Sequence, residues 1–188
     1  MIKHISSIHI PVVKQWLALK EKSRSRKRTG LFLIEGLREI HLALKGGYSI
    51  ETVIYNPDLI TIDEIEKLNI SYNEIVEVTP DLYQRLSYRE STQGIISVSK
   101  SKQLTLYTLE INKTKPLILV AEAPEKPGNL GALLRTADAA NLYAVIIANP
   151  ISDLYNPNVI RSSVGCVFTN QIAIGNTMEV INYLKTKK

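Results

Sequence analysis

The chain has 188 residues, 45% hydrophobic and 22% charged, enough for one core or two small ones; its apolar runs, such as 116–121, fall far short of the roughly 18–20 residues of a membrane helix. One cysteine, Cys166, excludes an internal disulfide, and with three scattered histidines (His4, His9, His41) it predicts no metal site. The net charge of +5 is concentrated in one stretch, Lys20 to Arg28, which holds six cations and one carboxylate. No apolar signal region opens the chain, so a cytoplasmic protein is expected.

In chain order, Val13, Trp16, Leu17 and Leu19 recur at helical spacing across 10–20. Next come Lys20, Lys22, Arg24, Arg26, Lys27 and Arg28, which would attract a phosphate backbone or, at even odds, form a solvated loop. Leu31-Phe32-Leu33-Ile34 reads as a strand, and Leu37, Ile40, His41 and Leu44 as a helix ended by Gly46-Gly47. A strand at 52–55, a short helix at 61–68 and a strand at 74–78 follow. Thr79-Pro80 then opens a helix with a capping hydroxyl and a proline, and a strand covers 94–98. This alternation predicts a small α/β domain over residues 1–100.

Residues 101–115, rich in Lys, Thr and Ser, read as a linker. The alternation restarts over 116–188, with strands at 117–121, 143–148 and 167–174 and helices at 129–140, 157–163 and 177–184. Apolar strands between helices predict a parallel sheet covered on both faces. Three strands make a meagre sheet, so this second domain is expected to be incomplete.

Two clusters carry potential chemistry. Pro127-Gly128-Asn129-Leu130-Gly131 through Arg135-Thr136-Ala137 follows a strand and opens a helix, where glycines permit close approach and free amides face an anion. Gly131 and Arg135 share a helix face, which aims Arg135 across a small residue; alternatively Arg135 pairs with Asp138. The second cluster is Asn156-Pro157 followed by Arg161-Ser162-Ser163 and Gly165, with Gly165 placed as a helix C-terminal cap. Arg161 could equally be a plain surface arginine. Cys166 has no histidine in its half of the chain and reads as a small buried residue.

Taken together, the two clusters resemble the first two motifs of the SpoU (TrmH-like) branch of the SPOUT RNA methyltransferases. The N-terminal half is similar to that family's substrate-binding domain, with Leu31-Phe32-Leu33-Ile34-Glu35-Gly36 after the basic stretch and Gln93-Gly94-Ile95-Ile96 at its end. The resemblance implies a trefoil-knot-type SPOUT domain, a homodimer, and transfer of a methyl group from S-adenosylmethionine to a ribose 2′-hydroxyl of structured tRNA or rRNA. It assigns Asn129 and Arg135 to the reaction centre and Arg161 to holding RNA or its own loop. The family usually has glycine where Asn141 stands, and asparagine also tolerates a left-handed turn. The family's third motif is expected beyond Lys188, so this chain is expected to lack a complete donor pocket and the family dimer. The alternative is a non-catalytic RNA-binding module.

Overall fold

A computed structural model describes residues 2–89, 92–112 and 114–187, so Lys188 lies outside the described residues. The chain divides into two compact units, Met1–Ser101 and Lys102–Lys188. No helix among the described residues is long and apolar enough to cross a membrane.

Unit 1 contains β1 (Lys3–Ile5), α1 (Pro11–Glu21), α2 (Ser23–Thr29), β2 (Leu31–Glu35), α3 (Leu37–Lys45), β3 (Ile50–Tyr55), α4 (Ile62–Lys67), β4 (Tyr72–Val78), α5 (Pro80–Leu86) and β5 (Ile95–Lys100). Its sheet has the order β1-β4-β3-β5-β2, with β1, β4 and β3 parallel and β5 antiparallel to both β3 and β2. Val13, Trp16 and Leu19 of α1 and Leu82, Tyr83 and Leu86 of α5 pack on Leu33, Ile54, Val76 and Ile96. Phe32 and Ile34, at alternate positions of β2, point to the opposite face, where Tyr48 meets Phe32 edge-on at 6.0 Å. The three-residue β1 is too short to show a sequence period.

The basic stretch runs from the last turn of α1, which holds Lys20, across Lys22 into α2, which holds Arg24, Arg26, Lys27 and Arg28, so it is helical rather than a loop. Arginine and lysine are good helix formers, the last-turn cations favour the negative helix end, and Gly30 (φ +66) closes it with its amide on the Arg26 carbonyl.

Unit 2 contains β6 (Ile118–Glu122), α6 (Pro127–Ala139), β7 (Ala144–Ala148), α7 (Pro157–Ser162), α8 (Cys166–Thr169), β8 (Ile172–Gly175) and α9 (Thr177–Lys185). The three strands are parallel in the order β6-β7-β8. Every residue of the central β7 is buried. β6 forms an edge, where Leu117 is 68% and Val120 43% exposed.

Residues 102–112, expected as a linker, are built into this unit. Leu106 and Leu109 join Ala144, Ile146, Ala173 and Val180 in its core. The Ile174 amide donates to the Leu104 carbonyl at 2.7 Å, and the Tyr143 and Tyr183 hydroxyls donate to the carbonyls of Glu110 and Leu109, each at 2.8 Å. The expected strand 167–174 is shorter. Val164 (φ +57) and Gly165 (φ +84) reverse the chain into α8, and Asn170 ends it by donating to Cys166 O (2.8 Å) and Leu134 O (3.0 Å). Asn141 adopts the left-handed conformation (φ +51) that tolerates asparagine in place of glycine.

Candidate reaction centre and nucleic-acid interface

In unit 2 the two clusters meet through a glycine. A Cβ on Gly131 would overlap Ser162 Oγ and lie 2.7 Å from the Ser163 amide nitrogen, so the bare Gly131 backbone lets α7 lie directly on α6. Gly131, the small residue on the face of Arg135, is therefore buried under α7. Ser162 Oγ is anchored by donating to the Asn158 carbonyl at 2.6 Å, and Asn156 caps α7 through the Asn158 amide at 2.8 Å.

Leu130, Leu134 and Ala137 bury the inner face of α6, while Leu133 is only half-buried. Arg135 is exposed one turn beyond Gly131 and has no hydrogen-bond or ion-pair partner among the described residues. It does not pair with Asp138, whose carboxylate accepts from Thr169 Oγ1 at 3.5 Å. Asn129 is exposed in the first turn of α6. Helix geometry sets it about 9 Å from Arg135 along the axis and about 120° around it, so the two serve one ligand only if it spans that gap, as a nucleotide does. The α6 N-terminus has no side-chain cap and no acidic residue in its first turn, and a Cβ at Gly128 would meet nothing within 4 Å. Arg161 is exposed on α7, and Cys166 is half-buried where full burial was expected.

A second set of residues at the carboxyl ends of the strands was not singled out from sequence. Asn149 (φ +47) donates to Glu122 Oε1 at 3.0 Å and to Thr177 Oγ1 at 2.7 Å, and Thr177 donates to Glu122 Oε2 at 2.7 Å. Hydrogen bonds from Thr177 and then Asn149 hold the Glu122 carboxyl below its ordinary value. The Ser152 amide donates to the Pro124 carbonyl at 3.2 Å and its hydroxyl to the Glu125 carbonyl, so the loops after β6 and β7 are tied together. Carboxyl ends of parallel strands are where open α/β sheets bind ligands, and Asn149-Pro150 signalled only a turn.

In unit 1, Lys22, Arg24, Lys27 and Arg28 are exposed. Arg26 is not available to a phosphate. It is 4% exposed, and its Nη1 donates to the Leu19 carbonyl at 2.7 Å and the Lys20 carbonyl at 3.2 Å, satisfying the last carbonyls of α1. Lys20 is half-buried, with Nζ donating to the Arg85 carbonyl at 2.7 Å.

Nearby, Glu39 on α3 is 1% exposed, and its Oε1 accepts from Arg38 Nη2 at 2.6 Å and Arg89 Nη2 at 3.0 Å. Burial pushes this carboxyl up, but the bonds from Arg38 and Arg89 outweigh it and leave it below its ordinary value. Glu35 is shifted the other way. Burial raises its carboxyl despite the amides of Tyr88 and Arg89 that it accepts. Helical spacing hides this cluster, because Glu39 sits in an ordinary first-turn position.

Two families match the chain, the MRM3-like substrate binding domain over residues 11–97 and the SpoU rRNA Methylase family over residues 116–188. A solved RNA 2′-O ribose methyltransferase is 36% identical with a TM-score of 0.78, covering 97% of this chain and 69% of that one. The SpoU methyltransferase AviRb from Streptomyces viridochromogenes, solved with AdoMet, is 27% identical with a TM-score of 0.85, over 95% of this chain and 68% of that one. A curated relative from the same organism, a 23S rRNA (uridine(2479)-2′-O)-methyltransferase, is 28% identical over 93% of this chain. The chain spans 62% of that relative's length.

Proposed function

This chain belongs to the SpoU rRNA methylase family, and we propose that it serves the transfer of a methyl group from S-adenosylmethionine to a ribose 2′-hydroxyl of ribosomal RNA. The observation that carries this reading is Arg135, an exposed guanidinium without a partner among the described residues, on a helix that Gly131 locks to the second motif. The names of the relatives favour rRNA over tRNA. A cytoplasmic location accords with the lone cysteine, and the same family likeness supports homodimer assembly for a complete family member.

The donor supplies an electrophilic methyl group on a sulfonium, and the remaining work falls on the RNA side. A ribose hydroxyl is a weak nucleophile whose oxygen gathers negative charge as its bond to carbon forms. A fixed guanidinium stabilises that oxygen and holds the adjacent phosphate. A guanidinium is a poor proton acceptor, so Arg135 orients and stabilises while the hydroxyl proton leaves to water. Asn129 offers a neutral donor and acceptor to the same nucleotide, and the open α6 N-terminus adds a favourable field for a phosphate. Exposed Lys22, Arg24, Lys27 and Arg28, half-buried Lys20, and Arg161 supply further phosphate contacts.

One cavity of unit 2 lies apart from both motifs. That space of about 530 Å³ lies against α9, lined by residues such as Leu106, Tyr107, Asn182 and Tyr183, with no residue of either motif.

The test is methyl transfer from labelled S-adenosylmethionine to an rRNA transcript, using a protein that carries these residues and the third motif. Arg135→Ala is expected to lower the rate by about 10²–10³ while RNA affinity stays within a few fold. A fully active variant would refute the assignment at Arg135. Calorimetric titration of the donor into the 188-residue chain separates the two readings, since binding supports catalysis and its absence supports the binding module.

A further inference from the structure

We propose that Glu39 is a positioning residue that holds Arg38 and Arg89 as a paired, prearranged phosphate-binding fork, extending the RNA-contacting band of unit 1 from α2 across Lys20 to the start of α3. The inference rests on the RNA-binding reading above.

A nearly fully buried carboxylate is costly, and an apolar residue of similar size often serves stability as well or better. Here the buried Glu39 spends one oxygen on two guanidiniums. Each guanidinium carries five N–H donors, and the side chains of Arg38 and Arg89 remain 57% and 26% exposed. The triad keeps a net positive charge, and Glu39 uses only a small part of its N–H donors.

The surrounding backbone is fixed as well. Gly36 (φ +100) has no side chain, and a Cβ there would sit 3.0 Å from Glu39 Oε2, so glycine leaves room for the carboxylate. Gln93 Oε1 accepts from the Leu37 amide at 2.8 Å. Glu35 is occupied by the amides of Tyr88 and Arg89, which fixes the Arg89 backbone and leaves that carboxylate little freedom to compete for the guanidiniums. A planar donor fork held in advance loses less entropy on meeting a phosphate than a free arginine does.

Hydrogen bonds also make the band continuous. Arg26 ties α2 to the end of α1, and Lys20 reaches the end of α5, two residues from Ser87, whose hydroxyl donates to the Arg89 carbonyl at 3.2 Å. Tyr88, 41% exposed beside Arg89, offers a face for stacking an unpaired base. Glu21 is an exposed carboxylate on the same stretch and limits the band's net charge.

The test is fluorescence anisotropy of a labelled RNA hairpin with a single-stranded loop, titrated with the 188-residue chain across a salt series. Arg38→Ala, at an exposed position, is expected to release one phosphate. That flattens the log–log salt slope by about 0.7 and weakens binding about fivefold at 0.1 M salt. Glu39→Gln separates positioning from charge. It removes a negative charge, so simple electrostatics predicts tighter binding, whereas loss of the fork predicts weaker binding.

A folded Glu39→Gln protein that binds as well as the parent or better, or an unchanged slope for Arg38→Ala, would overturn the proposal. If neutralising Arg24, Lys27 and Arg28 weakens binding while Arg38→Ala does not, the fork falls and the RNA-binding reading stands. If the parent chain does not bind the hairpin, both fall.

Discussion

Replacing Gly131 with alanine probes the packing that joins the two motifs. The new methyl would lie 2.7 Å from the Ser163 amide nitrogen and 2.8 Å from Ser162 Cβ, against 3.4 Å for ordinary contact. Ser162 Oγ can rotate away, but the backbone nitrogen and Cβ cannot, so α7 must retreat by roughly 0.7 Å. Overpacking of this kind costs about 1–3 kcal/mol, and removing a helix-interior glycine returns about 1 kcal/mol, so the net loss is about 0–2 kcal/mol. The closest fixed neighbours are a backbone nitrogen and a Cβ, neither of which can rotate away, which puts the value in the upper half of that range. In a unit the size of Lys102–Lys188, each kcal/mol moves the melting midpoint by roughly 4–8 °C. Gly128→Ala, in the first turn of the same helix, meets nothing within 4 Å and keeps only the propensity gain. Thermal unfolding followed by near-ultraviolet circular dichroism should therefore give shifts of opposite sign for the two variants. A Gly131→Ala protein as stable as the parent would refute the close packing of α6 on α7.

Within the basic helix, Arg26→Ala should destabilise unit 1 by about 1–3 kcal/mol, because one buried and one part-buried carbonyl lose this donor, and the salt slope of RNA binding should barely change. Neutralising Arg24, Lys27 and Arg28 should do the reverse, leaving the melting midpoint in place and lowering the slope by about 0.7–0.9 for each phosphate no longer neutralised; equal slopes would make α2 a solvated surface. Carboxyl NMR titration should find the Glu39 midpoint below that of Glu35. Glu39, with its folded value depressed, adds stability above the ordinary carboxylate range and loses it as pH falls through the folded value. Glu35, with its folded value raised, adds stability at low pH and loses it as pH rises through that value. Coincident midpoints would show that the two arginines are not held on Glu39.

Apolar spacing and turn residues made most of the elements legible. Val13, Trp16 and Leu19 marked α1 and its buried face, Asn156-Pro157 marked the start of α7, and Asn141 marked a left-handed turn. What escaped was set by interactions between distant segments. Arg26 reads as one cation among six until α1 supplies carbonyls for it. Leu106 and Leu109 look isolated in a polar stretch until the β7–β8 surface covers them. Gly131 reads only as a small residue on the face of Arg135 until Ser162 closes over it. Cys166–Thr169 carries strand-like residues, but the reversal at Val164 and Gly165 and the two bonds from Asn170 outweigh that preference.

The open side of β6 bears on how the chain behaves at the bench. Its outward backbone groups can accept another strand, and Leu117 and Val120 make that edge apolar, the combination that invites molecules to stack edge to edge. In concentrated samples of the 188-residue chain, self-association is expected to begin at this strand, so Val120→Lys is the first change to make for NMR or crystallisation.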